Sequence, residues 1–256
     1  MTLSLSDIRV HRDGRAILAL DELTLRDGEF TAILGHNGSG KSTLMQVMAR
    51  QMKPDGGMIR LDDQLLERYS QRELARRMAF LPQQLPEVAG LDVRELVRLG
   101  RFPWRGLVRR WHRDDATAVD WALEQTSMAN YATHLVDELS GGERQRAWIA
   151  MLLAQEAPLL LLDEPTSALD LSHQYECMAL LSDLNQSAGR GVAVILHDVN
   201  LAARYADRVI ALKQGEVAFD GTPQAMLSSE LLTMLYGIDI NLIAQPGTQR
   251  PVAVVA

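Results

Sequence analysis

The chain is poor in the features that would take it out of an ordinary globular interior. It has one cysteine, Cys177, so no intramolecular disulfide can form and nothing points to an oxidising compartment. MTLSLSDIRV lacks the charged and then apolar regions of a secretory leader. No later run approaches the roughly 18 apolar residues that a membrane span requires, so a cytoplasmic location is expected. A net charge of -7 argues against nonspecific nucleic-acid binding, which relies on clustered Lys and Arg. Internal repeats, low-complexity tracts and Pro/Gly/Ser-rich linkers are also missing, so the 256 residues are expected to form one elaborated unit. Hydrophobic residues at 47% and charged residues at 23% fit a chain that buries a substantial core.

What is present alternates between short apolar runs and helical patterns. FTAIL (30–34), LLLL (159–162) and VAVIL (192–196) read as strands buried on both faces of a parallel sheet. Residues 143–154 and 174–186 have helical length and spacing, which predicts an α/β core of βαβ type. LSLSDIRV and LALDELTL predict an added N-terminal antiparallel β-layer, and residues 92–135 a helical insertion. The expected boundaries are a β-layer over about 1–29, a nucleotide-binding core over 30–90 and 155–225, and a helical subdomain over 91–154. A C-terminal segment over 226–256 follows, and the tail after Pro246 is expected to be loosely held.

The stretch GHNGSGKST, residues 35–43, fits G-x-x-x-x-G-K-[ST] through Gly35, Gly40, Lys41 and Ser42, between a predicted strand and a predicted helix. Bare backbone N–H groups can curl around phosphate oxygens there, and the helix that follows directs its positive end at them. Gly35, His36, Asn37, Gly38, Ser39, Gly40, Lys41, Ser42 and Thr43 are the expected ATP-binding residues. Lys41 would reach the β- and γ-phosphates, and the Ser42 hydroxyl would ligate Mg²⁺. LLLLDEP (159–165) carries Asp163, a metal ligand through water, and Glu164, a base for the attacking water, off the end of a buried strand. His197 leaves VAVIL in the same manner and should lie near the γ-phosphate.

LSGGERQR (139–146) places Ser140, Gly141 and Gly142 at the start of another helix, a second amide-rich anion cradle. One nucleotide has little use for two cradles about a hundred residues apart in one chain, so a dimer is expected.

Taken in order, GHNGSGKST, LPQQ, LSGGERQR, LLLLDEPTSALD and LHD resemble the nucleotide-binding subunits of ATP-binding cassette (ABC) transporters over residues 1 to about 240. The resemblance implies a P-loop NTPase (RecA-like) core and a homodimer closed head to tail around two ATP molecules. Each ATP would lie between one P-loop and Ser140, Gly141, Gly142 and Asp170 of the other copy. It makes Gln83 a catalytic residue and metal ligand in the glutamine loop, and His197 the switch histidine. It also implies permease subunits, a periplasmic or surface substrate-binding protein reached through them, and a peripheral position on the cytoplasmic side of the inner membrane.

GRFPWRG (100–106) and YGIDI (236–240) resemble the iron-siderophore and vitamin B12 import group, with ferric hydroxamate import the nearest likeness. Haem or cobalamin import is the alternative, and a soluble non-transport ABC ATPase the rival class. The family's adenine-stacking aromatic is missing from IRVHRDGRAIL, which leaves His11 or Arg12 for that role. Arg94, Arg98, Arg101, Arg105, Arg109, Arg110 and Arg113, with Trp104 and Trp111 among them, predict a surface facing the membrane or permease.

Overall fold

The computed structural model describes residues 1–105, 111–245 and 251–256. Strands β1 (Leu3–Arg12) and β2 (Arg15–Leu25) form a hairpin, and β3 (Phe30–Leu34) leads into α1 (Lys41–Met48). Next, β4 (Gly56–Leu61) and β5 (Gln64–Leu65) return to the hairpin and complete an antiparallel sheet in the order β2-β1-β4-β5. Residues 56–65, placed by sequence within the core, therefore belong to the N-terminal layer. Helix α2 (Gln71–Ala75) and strand β6 (Met78–Leu81) precede a helical stretch of α3 (Val93–Leu99), α4 (Phe102–Arg105), α5 (Arg113–Gln125) and α6 (Gly141–Ala154). The chain then alternates through β7 (Leu159–Leu162), α7 (Leu171–Ala188), β8 (Gly191–Ile195), α8 (Val199–Tyr205), β9 (Arg208–Lys213) and β10 (Glu216–Gly221). It finishes with α9 (Pro223–Met226), α10 (Ser229–Tyr236) and the hairpin β11 (Ile240–Ala244) and β12 (Pro251–Val255).

The central sheet runs β10-β9-β3-β8-β7-β6, parallel except for β10 at its edge. Its inner strands are mostly apolar because both faces are covered, and their alternation divides the side chains between two cores. Ala32 and Leu34, Leu160 and Leu162, Val192 and Val194 pack with α3, α5, α6 and α7. Ile33, Leu161, Ala193 and Ile195 point the other way, onto α1 and the N-terminal sheet. Cys177 on α7 belongs to the first core, where burial pushes its thiol up to about 12.

Some expectations need correction. Strands β6 and β9 hold the four-residue apolar runs MAFL and VIAL, which the sequence reading did not single out. The tail is not loose where it is described: β12 pairs with β11 from Ile240↔Val255 to Ala244↔Pro251. Asn200 on α8 also grips it, donating to the Ala253 carbonyl at 3.0 Å and accepting from the Ala253 N–H at 2.9 Å.

Part of the arginine segment is structural, while Arg94, Arg98 and Arg113 stay exposed. Arg101 is 5% exposed, donating to Asp115 at 3.0 Å, to Glu156 at 2.5 Å and to the Ala154 carbonyl at 2.8 Å. Arg94 pairs with Asp120, and Arg98 and Arg105 lie over the Trp111 ring at 4.3 and 4.6 Å. Trp104 donates to the Gln155 carbonyl at 2.7 Å instead of offering its indole N–H outward. Arg109 and Arg110 lie outside the described residues.

Candidate functional site

Four parallel strands release their functional residues at the same edge. After β3 comes the loop Gly35–Gly40, after β6 Gln83, after β7 Asp163 and Glu164, and after β8 His197. The carboxyl edge of an open α/β sheet is where such folds gather ligand groups, because the loops there converge over the strand ends.

The glycines of the first loop meet two requirements. Gly35 and Gly40 sit at φ 138° and 101°, a region that side chains disfavour. A Cβ on Gly35 would strike the Leu212 carbonyl, and one on Gly40 would come within 2.9 Å of the Ile17 carbonyl. The loop is thus walled by β9 and β2 and turns its main chain toward the cleft. No side chain caps α1 and no acid occupies its first turn, so its first N–H groups remain available to an anion. Lys41 folds back over the loop and donates to the carbonyls of Gly35 at 2.7 Å and His36 at 3.1 Å. Burial lowers its pKa, while Glu164 and Asp163 work in the opposite direction.

Glu164 is the most constrained carboxylate of the cleft. It is 8% exposed, with φ 53° in the left-handed region, the kind of backbone strain that clusters at functional sites. His197 Nε2 lies 2.7 Å from Glu164 Oε1, and Gln83 Nε2 donates to Glu164 Oε2 at 2.8 Å. Three residues assigned from separate segments thus form one cluster with the base at its centre.

Asp163 is 2% exposed and accepts from the Ser42 hydroxyl at 3.2 Å. Burial pushes its pKa up to about 6, against the pull of the Ser42 hydrogen bond and the Lys41 charge. A desolvated carboxylate beside a hydroxyl is an oxygen-donor pair of the sort a small hard cation takes.

Ser140 caps α6 in a reciprocal box with Glu143: its N–H donates to Glu143 Oε2 at 2.9 Å and its hydroxyl to the same oxygen at 2.7 Å. Gly141 has open space where a Cβ would sit. Among the described residues, no hydrogen bond joins this turn to the P-loop of the same chain. Asp170 caps α7, accepting from the His173 N–H at 2.9 Å and the Ser172 hydroxyl at 3.0 Å. His11 is held by Asp55 at 3.3 Å, and Arg12 reaches the Met52 sulfur at 4.0 Å, so neither is hydrogen-bonded to the P-loop.

Sequence reasoning missed one neighbour of the cleft. Asp198 caps α8 through the N–H groups of Asn200 (2.7 Å) and Leu201 (3.2 Å) and so fixes the residue next to His197. An Asp before an apolar helical run is a cap signal that LHDVNL carries in plain view.

Comparison with known proteins agrees with this geometry. A family model described as ABC transporter matches residues 19–167. The ferric enterobactin transport ATP-binding protein FepC of Escherichia coli (strain K12) is 44% identical over 228 residues, covering 89% of this chain and 84% of that protein. The iron(3+)-hydroxamate import ATP-binding protein FhuC of Bacillus subtilis (strain 168) is 40% identical over 251 residues, covering 98% and 93%. The dimeric post-hydrolysis structure of the ATP-binding cassette MJ0796 bound to ADP and Pi superimposes with a TM-score of 0.78 at 31% identity, covering 86% of this chain and 98% of that one. With the strand-end cluster, the P-loop and the signature turn in one α/β fold of this kind, the chain belongs to the ABC transporter ATPases.

Proposed function

We propose that this chain is the motor subunit of an importer, using ATP to drive uptake of an iron–siderophore complex across the cytoplasmic membrane. The observation that carries the mechanism is the exposed signature turn, which is hydrogen-bonded within its own helix start and not to its own P-loop. Its Gly141 and Gly142 N–H groups, which make no hydrogen bond among the described residues, can meet an ATP held by a second copy, so two chains closing head to tail complete two sites. The residues 35–43 grip the triphosphate, and Ser140, Gly141, Gly142 and Asp170 of the other copy close over it. Ser42 and Asp163, with the carbonyl end of Gln83, would hold Mg²⁺, which neutralises phosphate charge when bound. The buried Asp163 carboxylate fits that role, because its raised pKa marks a negative charge short of compensation.

Glu164 takes the proton of the attacking water. In this structure Gln83 and His197 occupy both of its oxygens. A γ-phosphate competes for both partners, and their transfer to phosphate frees the carboxylate for water at the moment the substrate is in place. Arg12 is the base-contacting candidate from the sequence. Residues 1–256 act as one ATPase domain, with the boundaries given above.

Among the described residues no helix is long and apolar enough to cross a membrane. Attachment is therefore proposed to run through permease subunits on the cytoplasmic face of the inner membrane, with a substrate-binding protein on the outer side. The cargo assignment follows relatives that serve enterobactin and hydroxamate uptake. Hydroxamate is the likeness the sequence favours.

One experiment tests both levels. Glu164→Gln is expected to lose hydrolysis by about 10²- to 10⁴-fold, the usual worth of a general base. It should still bind ATP and accumulate as a dimer on size exclusion. Expressed in a strain lacking the native gene, it should fail to restore growth on ferric hydroxamate as sole iron source, where the wild-type gene succeeds. Hydrolysis at the wild-type rate would remove Glu164 from its role. Growth rescued by the wild type only on another iron source would reassign the cargo.

A further inference from the structure

Both anion cradles are helix N-termini, yet they are not charged alike. No side chain caps α1 and no acid lies in its first turn. Glu143 occupies the first turn of α6, and one of its oxygens, Oε2, accepts from the Ser140 N–H at 2.9 Å and from the Ser140 hydroxyl at 2.7 Å. The Glu143 N–H donates back to Ser140 Oγ at 3.3 Å, which closes the box. Bonds from the Ser140 hydroxyl and N–H hold the Glu143 carboxyl below its ordinary value, so it is ionised throughout the neutral range.

The turn assigned to the partner's ATP therefore brings a negative charge of its own. That charge stabilises the helix start and opposes a triphosphate, because both anions seek the same positive end. Of the nearby cations, Arg144 donates to the Leu139 carbonyl at 3.4 Å, and the Arg146 charge acts on the carboxyl less than the Ser140 bonds do. A serine hydroxyl has one proton to give, and here the carboxylate holds it. For Ser140 to donate to a γ-phosphate oxygen it has to leave Glu143, which then keeps its charge and loses a partner.

We propose that Glu143 sets the ATP concentration at which two copies close: its carboxylate holds the Ser140 hydroxyl in the open chain and repels the incoming triphosphate, so closure needs more ATP than it would with a neutral side chain there. Glu143 is a positioning residue in this scheme. It acts on phosphate through Ser140 and through its charge, and it takes no proton from the attacking water. This rests on the assignment of the signature turn to the partner's nucleotide made above.

The test uses the full chain in the Glu164→Gln background, where ATP-bound dimers are expected to accumulate. Glu143→Gln keeps the reciprocal box, in which Gln serves as well as Glu, and removes the charge. With Mg²⁺ and about 0.05 M salt, the ATP concentration giving half-maximal dimer on size exclusion is expected to fall roughly three- to tenfold, the effect of one unit charge close to a polyanion under near-aqueous screening. At about 0.5 M salt the two proteins should converge to within about twofold. Glu143→Asp keeps the charge and should stay within about twofold of its parent at low salt.

An unchanged or higher ATP requirement in Glu143→Gln overturns the proposal. A lower requirement that is equally large at both salt levels, or that Glu143→Asp shares, overturns it too, because the change would then be one of capping or packing. Glu164→Gln alone separates the two levels. If it forms no dimer with ATP, the reading of the signature turn fails and this inference falls with it; if it does, failure of the Glu143 predictions leaves the motor assignment standing.

Discussion

Asp163→Asn offers a quantitative check on the electrostatics of the cleft. Its carboxyl rises from an ordinary 3.8 to about 6 in the folded chain, so the native state binds this proton more tightly than the unfolded state does. Stability from this group is then fully present below pH 3.8 and is lost as pH rises toward about 6. Above that window the ionised carboxylate is a standing cost. A rise of that size is worth at most about 3 kcal/mol. With the side chain 2% exposed, solvent screening removes little of it. An asparagine retains the oxygen that accepts from Ser42 and carries no charge to desolvate.

At pH 7.5, without nucleotide or Mg²⁺, Asp163→Asn is expected to raise the urea midpoint relative to wild type, by up to that amount of free energy. The gap should narrow as pH falls toward 4. ATP hydrolysis should collapse over the same pH range in which stability improves. Denaturation curves at pH 4, 5, 6 and 7.5 for both proteins supply the measurement. A variant no more stable than wild type at pH 7.5, or a gap independent of pH, would refute the claim that burial raises this group.

Two other perturbations test the architecture. Arg101→Ala leaves Asp115, 5% exposed, with the Arg105 guanidinium at 3.8 Å and the His112 N–H at 3.1 Å, and should cost about 3 kcal/mol, the lower end for breaking a buried pair; a midpoint shift under 1 kcal/mol in urea titration would show the pair to be dispensable. Asn200→Ala removes both hydrogen bonds to Ala253 and should loosen β12 by about 1 to 2 kcal/mol. Limited proteolysis should then trim the C-terminus faster than in wild type, and equal trimming rates would show that Asn200 does not hold it.

Much of the catalytic edge is legible in the chain, because each functional residue sits at the end of an apolar run that has to be a buried strand. Gly35, Asp163 and His197 each follow such a run directly, so pattern alone orders them along one sheet edge. Two kinds of fact escape that logic. Strand β9 opens on Arg208, whose guanidinium donates to Asp220 at 2.6 Å and to the Thr24 carbonyl at 2.7 Å, a salt bridge that exists only in three dimensions. The arginines around Trp104 read as a charged face because the count stops at Arg113 and sees one acid, whereas Asp115 just beyond it and Glu156 just past the far end of α6 pair with Arg101.

Cys177 has a practical consequence. With its thiol at about 12, on the order of one molecule in 10⁵ carries the reactive thiolate at neutral pH, and the surrounding helices shield even that. Maleimide dyes should leave the native sulfur alone, so engineered cysteines on the two anion cradles can be labelled in the otherwise unmodified chain, and energy transfer between copies can follow closure in real time.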